Sequence, residues 1–272
     1  MTPSATLFFA AALLLSQSAF ACVDKLPDML KRAYPDARPG PGAAEGDRSF
    51  TLPGLPVRLV TVPEGVSCKV WAEKPELTLV AVTIEQLPKT ALSSGGDLEL
   101  FLIDSATGAI RHRLLEQGMM ESDAYKSTFG EFDTGDYSTA PERLLFGVRS
   151  DQVAEAFGRR SEIEMFTLYA VNGAKIERVL ELQTGSNNEV NVEVHEGSAS
   201  KACGERKEES TVISRSPTMR NGLNDLVIDL TKSTATCRMV KGAEEWTTKK
   251  STTTQHVVPF DGKTYRVPAA LR

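Results

Sequence analysis

The chain has 272 residues with 36 acidic and 31 basic side chains, a formal charge of −5, which excludes nucleic-acid binding driven by bulk positive charge. Hydrophobic residues at 41% and charged residues at 25% are ordinary globular values; they exclude a collagenous or wholly disordered polymer and leave enough apolar material for a real core.

The first element reads as an export signal. Residues 1–21 carry no charged side chain, and the nine apolar residues Leu7 to Leu15 match a signal-peptide core while being too short to span a bilayer. The segment ends Ser18-Ala19-Phe20-Ala21, small residues at both positions that a signal peptidase reads, so cleavage is expected after Ala21. Its departure from the pattern is the missing positive charge before Leu7. A periplasmic or secreted location follows. No later stretch approaches the 18 or more uninterrupted apolar residues of a spanning helix, so no transmembrane segment is expected in the mature chain. A lipid anchor at Cys22 is the second reading, but Phe20 stands where a lipoprotein signal carries a small residue, which favours the unanchored form.

Four cysteines, Cys22, Cys68, Cys203 and Cys237, then remain in an oxidising compartment, where thiols usually end as disulfides. Three pairings are possible. Sequence proximity favours Cys22 with Cys68 and Cys203 with Cys237, each closing a loop worth about 2 to 4 kcal/mol in the chain-entropy model.

Residues 22–50 read as an N-terminal arm, with one short helix over Leu26 to Ala33, and a linker marked by Pro35, Pro39, Gly40, Pro41 and Gly42. Residues 51–272 read as a single all-β domain. Leu77 to Ile84 is a continuous apolar run, the mark of a central strand buried on both faces. Leu98 to Ile103 leads through Asp104 to Gly108 into a returning strand, and Ile163 to Val171 leads through Asn172-Gly173 into Lys175 to Leu182. Val190, Val192 and Val194 alternate with polar residues, Leu226 to Leu230 forms another strand, and Asp261-Gly262 marks a last hairpin. The best helical stripe is short: Asp151 to Phe157, DQVAEAF, with Asp151 as N-cap. The mixed-sign run Lys201, Glu205, Arg206, Lys207, Glu208 and Glu209 reads as a solvated loop. Hairpin-like units beginning near Asp97, Glu162 and Asn224 recur at similar intervals, so the fold expected is a β-sandwich or meander, or a small propeller-like domain, with a short helical arm.

The segments Cys68 to Pro75 with Leu77-Thr78-Leu79, Asp97-Leu98 through Asp104 and Gly108, Met119 to Ala124, Asp133-Thr134 and Phe146 to Arg149 carry a likeness. Over most of residues 60–240 the chain resembles an uncharacterised family of exported Gram-negative bacterial proteins. The resemblance implies export and an all-β fold. It implies no activity and no functional residues.

Chemical signatures are sparse. His112, His195 and His256 are far apart in sequence, and no zinc, thiol-redox, nucleotide or nucleophile-elbow motif occurs. No catalytic residue and no cofactor is assigned. Asp133 and Asp136, in the acidic turn Glu131 to Tyr137, are the weak calcium candidates and the only candidates for paired-carboxylate chemistry; the Asn221 to Asp225 turn has a similar, equally incomplete look. Trp71, Trp246, Tyr125, Tyr137 and Tyr169 read as core or sheet-face residues ahead of a sugar-stacking platform. The expected function is non-catalytic binding or scaffolding of an envelope protein or polymer, and the alternative is a hydrolase acting on an envelope polymer.

Overall fold

The computed structural model describes residues 17–40, 48–54, 57–87, 95–122, 124–140, 143–156, 159–191, 202–240 and 243–271. Its helix α1 (Gln17–Ala33) precedes β1 (Arg38–Pro39), β2 (Arg48–Leu52), β3 (Val57–Val62), β4 (Val66–Val70), β5 (Leu77–Leu87), β6 (Gly96–Asp104) and β7 (Ile110–Glu116). These strands form one antiparallel sheet in the order β1-β2-β3-β5-β6-β7, with β4 paired to β5 beside β3. There follow β8 (Lys126–Asp133), β9 (Leu144–Ala156), β10 (Arg159–Asn172), β11 (Lys175–Asn191), β12 (Ala202–Arg220), β13 (Leu223–Val240) and β14 (Ala243–Val258). They form a second antiparallel sheet in which every strand lies beside its sequence neighbour. The fold is all-β, a sandwich of two meanders. The blades of a propeller are not formed.

Turn chemistry sets the hairpins. Gly108 and Gly173 take φ of 64° and 57°, and the β12–β13 turn places Asn221 and Gly222 at 50° and 84°, values that Gly and Asn adopt most easily. The Asn221 to Asp225 segment is therefore a tight hairpin. Asp225, fully buried, accepts from Arg220 Nε at 2.8 Å and from Phe260 N–H at 3.2 Å, so its carboxylate is spent on folding.

Three apolar cores stack through the molecule. The helix lays Leu26, Met29, Leu30 and Ala33 on Val60, Val80, Val82, Ile84, Phe101 and Ile103 of the first sheet. The other face of that sheet, Leu79, Ala81, Leu100 and Leu102, meets Phe132, Phe146, Val148 and Tyr169 of the second. This explains why β5 has no polar alternation: both of its faces are covered. Each large side chain removed from water here contributes about 1.5 to 3 kcal/mol. The third core arises because β12 pairs with β11 only from Gly185 onward. Before that point the strands splay, and Phe166, Leu180 and Leu182 share a cluster with Leu226, Ile228, Val258, Phe260 and Tyr265.

The N-terminal arm is longer in helix than expected. The element runs from Gln17, through the Ala21–Cys22 junction, whereas the sequence pattern marked only Leu26 to Ala33. The buried residues described on it, Cys22, Leu26, Met29, Leu30 and Ala33, form one helical stripe. Cys22 bonds Cys68 on β4, with Cα atoms 6.3 Å apart. At the other end Tyr34 Oη donates to Glu99 Oε2 at 2.6 Å, Glu99 pairs with Arg113, and Arg113 Nη1 donates to Ala33 O at 3.1 Å. Burial, then the Glu99 carboxylate, pushes the Tyr34 hydroxyl well above its ordinary range. The arm is docked, not detached.

Three other expectations are corrected. The stripe Asp151 to Ala156 lies in β9, because β8 and β10 flank it and supply ladder partners that outweigh its helical period; Phe157 lies outside the described residues. The mixed-sign run is the start of β12, with Glu205 to Glu209 registered between β11 and β13; Lys201 lies outside the described residues. The last hairpin expected at Asp261-Gly262 is only an isolated Phe260–Tyr265 bridge, and the strand before it, β14, takes in Thr247 to Gln255. Val192, Val194 and His195 lie outside the described residues. Among the described residues no helix is long and apolar enough to cross a membrane.

Cys237 is buried and disulfide-bonded. The β12 backbone shifts register between Ala202, which faces Arg238, and Gly204, which faces Cys237, so Cys203 is the extra residue of a bulge beside Cys237. The Cys203 side chain lies outside the described residues.

Candidate functional site

A cleft of about 550 Å³ runs along β11 where that strand has lost its neighbour. Six consecutive residues, Arg178 to Gln183, line it. Side chains alternate between the faces of a strand, so six in a row reach one cleft only if the cleft follows the strand's edge. Met165 closes it on the β10 side, and Thr264, Tyr265, Val267 and Leu271 of the C-terminal segment close it opposite. The segment is held by Tyr265 N–H donating to Val179 O at 2.8 Å and by Tyr265 Oη donating to Asn224 O at 2.8 Å. Beyond Val179, no strand is registered on this side of β11 until Gly185 among the described residues.

The result is an open sheet edge inside an apolar wall. Val179, Leu180, Leu182 and Leu271 are buried, while Arg178 and Glu181 are exposed and paired with each other at 2.6 Å. Arg178 also reaches Glu116 of the first sheet at 3.3 Å. The charges are satisfied at one end and the middle is apolar. Such an arrangement takes up backbone groups and alternating apolar side chains of an extended chain.

The acidic turn is organised around arginine. Arg149 lies opposite Glu131 in the β8–β9 register; its Nη2 donates to Asp133 Oδ2 at 2.8 Å, and its Nη1 donates to Glu164 Oε1 at 2.6 Å. Thr184 Oγ1 donates to the same Glu164 oxygen at 2.5 Å, and the guanidinium sits 5.1 Å over the Phe166 ring. Burial alone would raise the Asp133 carboxyl, but hydrogen bonds from Arg149, Tyr137 and the Gly135 N–H outweigh it and hold it below the usual carboxylate range. Asp136 pairs instead with Arg215 at 2.9 Å. The two acids thus have separate cationic partners. A general acid needs its carboxyl raised, and a calcium site needs carboxylates converging on one point; neither need is served by this pairing.

The remaining candidates are scattered. His112 stands on β7, and His256 on β14 lies 3.2 Å from Thr254 Oγ1. Trp71, Tyr137 and Tyr169 are buried and belong to the cores, and Trp246 is half-buried under Arg206, whose guanidinium lies 4.6 Å over its ring. Sequence reasoning missed Arg149 and the β11 cleft. Arg149 lies 16 residues from Asp133, a cross-strand neighbour rather than a spacing motif, and the cleft arises from two strands diverging.

No family model matches the chain, and no curated protein or solved structure shows significant similarity to it.

Proposed function

We propose that the protein is an exported, disulfide-stabilised β-scaffold that binds an extended segment of an envelope protein along the open edge of β11, without catalysing a reaction. One observation carries this reading: a strand edge without a registered neighbour lies between apolar walls built by Met165, Leu180, Leu182, Val267 and Leu271. Main-chain pairing would supply affinity there, and the apolar walls would select alternate side chains. Export is supported by the signal-like first 21 residues and by the absence of free cysteines among the described residues, since disulfides persist outside the reducing cytosol. A periplasmic setting, and kinship with exported Gram-negative proteins, belong to the same proposal. The hydrolase reading draws no support from Asp133 or Asp136, each neutralised by an arginine.

The test is selection of displayed random nonapeptides on the oxidised mature protein, followed by titration of the enriched sequences. Enriched peptides should alternate apolar and polar residues and bind Met165→Asp at least about tenfold more weakly, because a carboxylate would have to be desolvated in the wall. Near-UV circular dichroism checks that the variant is folded. Absence of enrichment, or equal binding to the folded variant, overturns the proposal.

A further inference from the structure

The open edge of β11 is apolar on one face of the strand and charged on the other. Leu180, Glu181, Leu182 and Gln183 are registered on Leu168, Thr167, Phe166 and Met165 of β10, and no strand is registered on their cleft side among the described residues. Leu180 and Leu182 are buried in one cluster with Tyr265 and Leu271, while Glu181, standing between them, turns to the opposite face and is exposed. A segment that pairs with this edge places each side chain on the same face as the residue opposite it. The residues opposite Leu180 and Leu182 therefore meet the apolar wall, and the residue between them stands beside Glu181.

Charge on that second face is unbalanced. The charged side chains described in the cleft lining are Arg178 and Glu181, and the Arg178 guanidinium serves two carboxylates at once: Nη1 donates to Glu181 Oε2 at 2.6 Å, and Nη2 donates to Glu116 Oε2 at 3.3 Å. Both acids also act on one point, since burial raises the Tyr169 hydroxyl well above its ordinary range and the Glu116 and Glu181 carboxylates add to the rise. One cation shared by two anions leaves a negative charge in excess beside the free edge. We infer that the extended segment bound on β11 carries a lysine or arginine opposite Glu181, between two apolar residues that stand opposite Leu180 and Leu182. This rests on the docking proposed above and specifies the partner's chemistry. A basic residue balances the second carboxylate, whereas an acid would set three carboxylates around one guanidinium, and like charges across neighbouring strands repel.

The experiment uses the oxidised mature protein and three synthetic nonapeptides that share the alternating background enriched in the display selection. They differ only in the polar residue between the two most strongly selected apolar positions, which is Lys, Gln or Glu. At low ionic strength the dissociation constants should rise in the order Lys, Gln, Glu, by about threefold at each step, the scale of an exposed ion pair, and the spread should shrink as salt is added. Glu181→Gln should bring the Lys and Glu peptides within about twofold of each other, and Glu181→Lys should reverse their order. The ratio is taken within each protein, so a general loss of affinity does not disturb it. Near-UV circular dichroism checks that the variants are folded, and Glu116→Gln, with the same narrowing expected, replaces any that is not. Equal affinities for the three peptides, or an order that the substitutions leave unchanged, overturn the inference while the docking itself stands; a selection without enrichment overturns both.

Discussion

Among the strand edges without a registered neighbour, those of β14 and β11 are built in opposite ways. β14 runs 16 residues at the margin of the second sheet, exposed along nearly its whole length, with Lys249 and Lys250 at a register shift against β13. Charge and a bulge are the usual means of keeping an edge from pairing. The open part of β11 is short and lies between apolar walls; its bulges, at Val179 and Thr184, stand only at its two ends, and its charges, Arg178 and Glu181, are paired with each other. The contrast teaches that exposure alone does not mark a docking edge; the edge whose surroundings would gain from being covered does. It also follows the packing. Around β11 the strands run through cores, while the far ends of β12, β13 and β14 are mostly exposed apart from Ala235, Cys237 and the half-buried Trp246, and are joined by ladder hydrogen bonds, by pairs such as Lys232–Glu209 at 2.7 Å, and by the bonded Cys237.

The largest expected effect is in the packed half. A Cβ added to Gly147 would stand 2.2 Å from Phe166 Cε2, inside the core, so Gly147→Ala should cost about 3 kcal/mol in urea unfolding, at the high end for overpacking. Next comes acid. Because the Asp133 carboxyl is held low in the folded state, its contribution to stability is complete above the unfolded value of about 3.9 and disappears as pH falls through the lower folded value. Urea midpoints measured from neutral pH downward should therefore drop less steeply in Asp133→Asn than in the parent, and identical slopes would remove the Arg149 clamp from the account.

The solvated half should behave differently. Replacing Lys249 and Lys250 together by Thr should leave the unfolding midpoint nearly unchanged but increase concentration-dependent self-association in sedimentation, because the guarded edge is then bare. Smallest of all, Lys232→Ala should change stability by less than about 0.5 kcal/mol, as expected for an exposed pair. A larger loss there would mean that the projecting strands are coupled to the cores more tightly than their exposure implies.

Legibility in the sequence followed the same division. The hairpins at Gly108 and Gly173 and the doubly buried β5 could be read directly, because turn glycines and apolar runs are local signals. β12 and β14 could not. The polar residues of β14 face water along nearly its whole length, and on β12 the half-buried positions that alternate with exposed ones are largely polar, so the apolar period-two pattern that marks a half-buried strand is missing. Asp133 and Asp136 were visible as acids but their roles were not, since Arg149 and Arg215 reach them from other strands. The β11 cleft depends on where two strands part, which no residue spacing encodes.

The most direct test of the open edge is residue-resolved hydrogen exchange along β11 in the free protein. Over Leu180 to Gln183, amides that point to β10 should be protected and those that point into the cleft should exchange fast, whereas Ser186 to Glu189, paired on both sides, should be protected throughout. Uniform protection from Leu180 to Glu189 would mean that the edge is already covered, and the docking account would be contradicted.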